Sequence, residues 1–143
     1  MRNIENGGLG LNEAWQVMRD VHTTFGTPAP RAPTAQDQFH RERRAQWIKE
    51  EADEILEAGD DLVGQVDGYL DVIVFALGGL VECGVRPGQL FNIVMDSQFA
   101  KLWEDGLPRV RESDGKWIKP EGWVAPEPLL EAEIRKQEET YKC

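Results

Sequence analysis

The chain has 143 residues, of which 41% are hydrophobic, 29% charged and 8% aromatic. This is the make-up of one globular domain with a real core, not of a disordered chain. Sixteen Lys and Arg stand against 26 Asp and Glu, a formal net charge of −10, which argues against a nucleic acid polymer or an anionic membrane as partner and leaves room for a small anion at a local basic patch.

In chain order, Leu11, Ala14, Trp15, Met18, Val21 and Phe25 recur at helical spacing and predict a first helix over 11–24, stopped by Gly26. The connector 27–33 carries three prolines and cannot remain helical. Residues 35–58 contain neither Gly nor Pro and are rich in Glu, Arg, Ala and Gln, a second helix with Thr34 as the expected cap. Gly59-Asp60-Asp61 reads as a stop followed by a new cap. A third helix is expected over 62–83. Its many β-branched residues suggest a strand, but it is too long for one, and its apolar character nearly all round marks a central element. Gly78-Gly79 within it points to a close helix–helix approach. Pro87 opens a fourth helix to about Trp103, Asp114-Gly115 between Val110 and Trp117 signals a hairpin, and Pro126-Glu127-Pro128 opens a last polar helix to about Tyr141. The sum is an all-α bundle of four to five helices with a short hairpin-like segment. It forms a single domain over 1–143, with a helical core over about 11–104 and a tail over 105–143.

Two cysteines, Cys83 and Cys143, are too few for a disulfide framework or a zinc site. The first ten residues lack the apolar stretch of a secretory leader, and the longest apolar run, 72–81, is about half a membrane span. A cytoplasmic setting without a membrane is the expectation. No P-loop and no nucleophile elbow is present.

The chemistry lies in the carboxylates. Glu50, Glu51 and Glu54 share one arc of the second helix at the edge of its apolar face, and Asp67 and Asp71 share a face of the third. Asp71 interrupts an apolar run, where a lone ionised carboxylate would cost several kcal/mol and so requires a partner. Two antiparallel helices joined by a short turn would set these groups face to face, and an oxygen-only set of that kind suits Mg²⁺, with Mn²⁺ as the other candidate. An EExxE stretch alone is also what a solvated helix face looks like; its pairing with Asp67 and Asp71 is the rarer feature. Arg44 lies seven residues before Glu51, about 10 Å along the same face. Lys101, Lys116 and Lys119 follow further on. Carboxylates with cations one step further out are what a polyphosphate requires.

The segment Arg44-Ala-Gln-Trp-Ile-Lys-Glu-Glu-Ala-Asp-Glu54 resembles the R-x-x-L-I-x-E-E-x-x-E stretch of the all-α nucleoside triphosphate pyrophosphatases. This is the MazG-like and phosphoribosyl-ATP pyrophosphohydrolase-like superfamily, which includes the dimeric dUTPases. Asp67-Gly-Tyr-Leu-Asp71 is similar to the second acidic motif, and the run from Gly115 to Trp123 with Pro126 is similar to the G-K-x-x-K-P-x-x-W-x-x-P tail. The resemblance implies a dimer or tetramer and Mg²⁺-dependent cleavage between the α and β phosphates of a nucleotide. It implies Glu50, Glu51, Glu54 and Asp71 as the catalytic carboxylates, and the same four with Asp67 as metal ligands. Arg44, Lys101, Lys116 and Lys119 would contact phosphates, Gln98 would lie near the sugar or base, and Trp47 and Phe99 are candidates to stack on the base. Gly68 stands where many relatives have Glu, and Gln98 where many have Asn. The expected substrate is a triphosphate such as dUTP or dCTP. The alternatives are phosphoribosyl-ATP or, outside the enzyme class, a non-catalytic helical interaction protein.

Overall fold

A computed structural model describes residues 8–142; residues 1–7 and Cys143 lie outside them. Five helices follow one another: α1 Leu11–Phe25, α2 Gln38–Glu57, α3 Leu62–Glu82, α4 Pro87–Phe99 and α5 Glu127–Thr140. The hairpin is reduced to a single antiparallel bridge between Val110 and Trp117, so the chain is all-α. Asp114-Gly115 turns it: Arg111 N donates to Lys116 O at 2.8 Å, and Gly115 takes a φ of +74°.

Asp37, not Thr34, caps α2, accepting from His40 N at 2.8 Å. Thr34 is committed elsewhere, its N donating to Cys83 O, so the chain stays extended over α3's end until Asp37 supplies the cap. Asp61 caps α3 through Val63 N, as the sequence indicated. The α4 helix ends at Phe99, four residues earlier than expected, because Lys101 N and Leu102 N close tight turns onto Gln98 O and Phe99 O.

The small core joins Trp15 of α1 to Leu77 and Val81 of α3, with Leu11, Ala14, Met18, Ala29 and Leu80 around them. The proline connector is tied down by α1. Arg19 donates from both terminal nitrogens to Pro30 O and Ala29 O at 2.9 Å, and His22 Nδ1 donates to Pro28 O at 2.8 Å.

The α2 and α3 helices form an antiparallel pair whose contacts run in order. Gly68 lies against Ile55, Phe75 stacks near Trp47 with ring centroids 5.4 Å apart, and Gly78 and Gly79 lie against Arg44. A Cβ at Gly68 would sit 2.6 Å from Ile55 Cγ1, and one at Gly78 would sit 2.9 Å from Arg44 Cζ. The close approach foreseen at Gly78-Gly79 is therefore the room taken by an arginine side chain.

Two expectations for α3 need correction. It is central on one side only: α1 and α2 cover part of it, while Val66, Tyr69, Leu70, Ile73 and Val74 face outward, Tyr69 at 60% and Leu70 at 54% exposure. It is also, by length and composition, long and apolar enough to cross a bilayer, which the shorter run 72–81 did not suggest. Its seam with α2 is that of a bundle helix, with both its aspartates inside the span.

Candidate active site

The antiparallel seam decides where the acidic residues fall. Between the Ile55–Gly68 contact and the Trp47–Phe75 contact, Glu51 of α2 comes opposite Asp71 of α3. Burial first, then the charges of Glu54, Asp71 and Asp67, push the Glu51 carboxyl above its ordinary range. Its Oε2 is buried without a hydrogen-bond partner. Four of the five expected carboxylates thus share one electrostatic centre. The fifth, Glu50, is exposed and accepts from Gln46 Nε2 at 3.2 Å. Among the described residues no three carboxylates converge on one cation position; like charges at a shared seam hold one another apart. The donor set nonetheless fits a hard divalent cation, since all of it is carboxylate oxygen and one buried oxygen is unsatisfied.

Arg44 does not sit where the phosphate-binding expectation put it. It is 7% exposed and ion-paired through Nη2 with Glu82 Oε1, itself 5% exposed. Gln36 Nε2 donates to the other Glu82 oxygen at 2.6 Å. The ring of Trp47 lies 5.1 Å from the Arg44 guanidinium and 4.7 Å from that of Arg43. Trp47 is thereby packed among Phe75 and two cations, half-buried, rather than presented as an open stacking surface.

Two of the remaining cationic candidates, Lys101 and Lys119, meet at the far end of α4. Lys101 Nζ donates to Gln98 Oε1 at 2.6 Å and lies 6.0 Å from the rings of Trp117 and Trp123. Lys119 Nζ lies 4.3 Å from the Trp123 ring. The tail is anchored by Trp123 Nε1 donating to Ser97 O and Trp103 Nε1 donating to Ile118 O. Lys116 and Lys119 are exposed. Met95, Phe99, Leu102, Pro108 and Trp117 line an apolar cavity of about 290 Å³ beside Gln98 and Lys101. Among the described residues none of these lysines is paired with a carboxylate of α2 or α3. The structure thus makes two clusters, one acidic and one cationic and aromatic.

Glu82, Gln36 and Trp117 were not singled out from the sequence. For Glu82 a signal existed: it follows Asp71 by eleven residues, which returns it to the same helical face. For Trp117 the only signal was its place in the tail motif.

The chain is all-helical with acidic motifs on two consecutive antiparallel helices, the arrangement expected of a helical pyrophosphohydrolase. The sequence profile of the phosphoribosyl-ATP pyrophosphohydrolase family matches residues 18–98, and the chain belongs to that family. It is similar over 90% of its length, at 33% identity and a TM-score of 0.51, to a crystal structure from Exiguobacterium sp. 255-15 described as a candidate NTP pyrophosphohydrolase, 97% of which is covered. No curated protein matches. The chain is a pyrophosphohydrolase, which sets aside the reading as a non-catalytic interaction protein.

Proposed function

We propose that the protein is a metal-dependent nucleoside triphosphate pyrophosphohydrolase that cleaves between the α and β phosphates, with a deoxynucleotide such as dUTP or dCTP as substrate. The observation that carries this is the shared field of Glu51, Glu54, Asp67 and Asp71, with a buried, unpartnered Glu51 oxygen at its centre. The like charges of that group oppose one another, and its all-oxygen donors are of the kind a hard divalent cation takes.

Glu51, Glu54, Asp67 and Asp71 would hold Mg²⁺ or Mn²⁺. When bound, the ion would offset phosphate charge and make an attacking water more acidic. Attack of water on the α phosphorus forms one P–O bond and breaks the bond to the bridging oxygen, giving the monophosphate and pyrophosphate. The water proton passes to a carboxylate; Glu54, at the seam, would take it through the oxygen it does not give to the ion, whereas Glu50 is exposed and turned to Gln46. Lys101, Lys116 and Lys119 supply charge for the leaving pyrophosphate, and Gln98 with the cavity at Phe99 and Trp117 receives the nucleoside.

The acidic and cationic clusters lie on different parts of the chain, and the outer face of α3 is apolar over Val66, Tyr69, Leu70, Ile73 and Val74. A second copy covering that face accounts for both, as the resemblance to dimeric relatives implies. A cytoplasmic homodimer, or a tetramer of two such pairs, is the assembly we propose.

The test is pyrophosphate release from a panel of NTPs and dNTPs with Mg²⁺, Mn²⁺ or EDTA. Phosphoribosyl-ATP belongs in the panel because the matching family bears its name. Release that requires the metal and favours one triphosphate is expected. Release from phosphoribosyl-ATP alone would replace the substrate assignment, and release undiminished by EDTA would overturn the metal dependence.

A further inference from the structure

We infer that Arg44, Glu82 and Gly78 form a positioning clamp that sets the register of α2 against α3 at the acidic centre, and through it the affinity of that centre for a divalent cation. The inference rests on the reading of Glu51, Glu54, Asp67 and Asp71 as the cation-holding group.

Arg44 is held on three sides. Its guanidinium is enclosed by the backbone of Gly78, the Trp47 ring and the Glu82 carboxylate. Turning it out toward a phosphate would leave Glu82 as a lone carboxylate at 5% exposure, which is a strongly unfavourable state. Glu82 in turn is fully engaged, one oxygen with Arg44 and the other with Gln36. It lies about 16 Å along α3 from Asp71, on the same face. At that distance it touches nothing held between Glu51 and Asp71 and can act on them only through the helix.

The pair adds direction to a seam that shape also holds. Ile55 on Gly68 and Trp47 near Phe75 are non-directional contacts, the first in a notch that only glycine leaves open. The guanidinium–carboxylate bond at the Gly78 notch adds a charged, directional contact that does not tolerate sliding. A slip of one residue moves α3 by about 1.5 Å and turns it by about 100°, which would carry Asp71 away from Glu51. The ion pair therefore holds α2 at one position along α3, the use of buried ionic groups that is best supported.

The test is Mn²⁺ binding to the full-length, metal-free protein, read as free Mn²⁺ by electron paramagnetic resonance, with helix content checked by circular dichroism. The native protein should bind, and Asp71→Asn should abolish the binding. Glu82→Gln keeps the shape and removes the charge. It should weaken Mn²⁺ affinity by about tenfold or more, the scale on which groups that hold metal ligands in place act. Gly78→Ala should do the same. In an Arg44→Lys background its effect should shrink, because lysine has no planar fork in the path of the new Cβ. A merely structural role would lower the fraction of molecules that bind and leave the dissociation constant of the remainder unchanged. Native affinity in Glu82→Gln and Gly78→Ala would overturn the clamp while the acidic site stands. Failure of the native protein to bind, or native binding in Asp71→Asn, would overturn the site itself. Should either clamp variant fail to fold, Arg44→Lys alone decides by the same comparison of dissociation constants.

Discussion

Glu51 carries a cost that a cation would remove. Its folded-state carboxyl is pushed above the ordinary value of 4.5 by burial and by Glu54, Asp71 and Asp67. A raised acid favours the folded state while it is protonated, and that contribution is lost as pH rises through the raised value. Without divalent metal, Glu51→Gln should therefore be more stable than the native protein at pH 7, and the advantage should vanish below about pH 4. With Mg²⁺ present the order should reverse, because only the native site gains binding free energy. Denaturant melts at the two pH values, with Mg²⁺ and with EDTA, check all three statements. Arg44 carries the opposite burden: Arg44→Ala strands Glu82 in the interior. We expect a loss of about 3–5 kcal/mol in urea unfolding, whereas neutralising the exposed Arg135–Glu131 pair should change stability by less than about 1 kcal/mol.

At the scale of the elements, the α2–α3 seam depends on small residues at chosen points. A side chain at Gly68 would meet Ile55 at Cγ1, N and Cα, and two of these three atoms belong to the backbone. Gly68→Ala should cost about 1–3 kcal/mol by overpacking, measured by thermal or chemical unfolding, and the cost should be smaller in an Ile55→Ala background, which removes the Cγ1 atom that the new Cβ meets. With Ile55 where it is, a larger side chain such as Glu has no room at Gly68. That glycine was visible in the sequence, but its neighbour was not, because which α2 residue lies opposite depends on the register. Helix ends tell the same story. Asp61 and Pro87 were readable as starts because their signals act within one turn. Thr34 misled because its hydroxyl donates to Ala32 O and its N–H ties the chain to Cys83 O, 49 positions away, so the helix starts only at Asp37's cap.

For the molecule as a whole, the apolar face of α3 is the feature that one chain leaves open. Side chains such as Tyr69, Leu70 and Ile73, each more than half exposed, are not what a monomer with a net charge of −10 usually shows water. Light scattering of the native protein should give a multiple of the 16.2 kDa chain mass. Ile73→Asp, on the open face and on the opposite side of α3 from Asp71, should give a monomer with reduced stability. A native protein that is monomeric at micromolar concentration would remove the second copy from the proposal.

The sequence by itself determined the all-helical class, the five elements and the acidic residues of α2 and α3. Those features rest on periodicity, capping and spacing, which operate over a few residues. The tertiary structure decided that Glu51 rather than Glu50 lies at the acidic centre, that Arg44 is enclosed with Glu82, and that Lys101 and Lys119 gather with the tail tryptophans. Each of those outcomes turns on which helix face meets which neighbour. Helical periodicity gives two candidate faces to a residue such as Arg44, phosphate-facing or buried, and only a carboxylate brought from 38 positions away chooses between them.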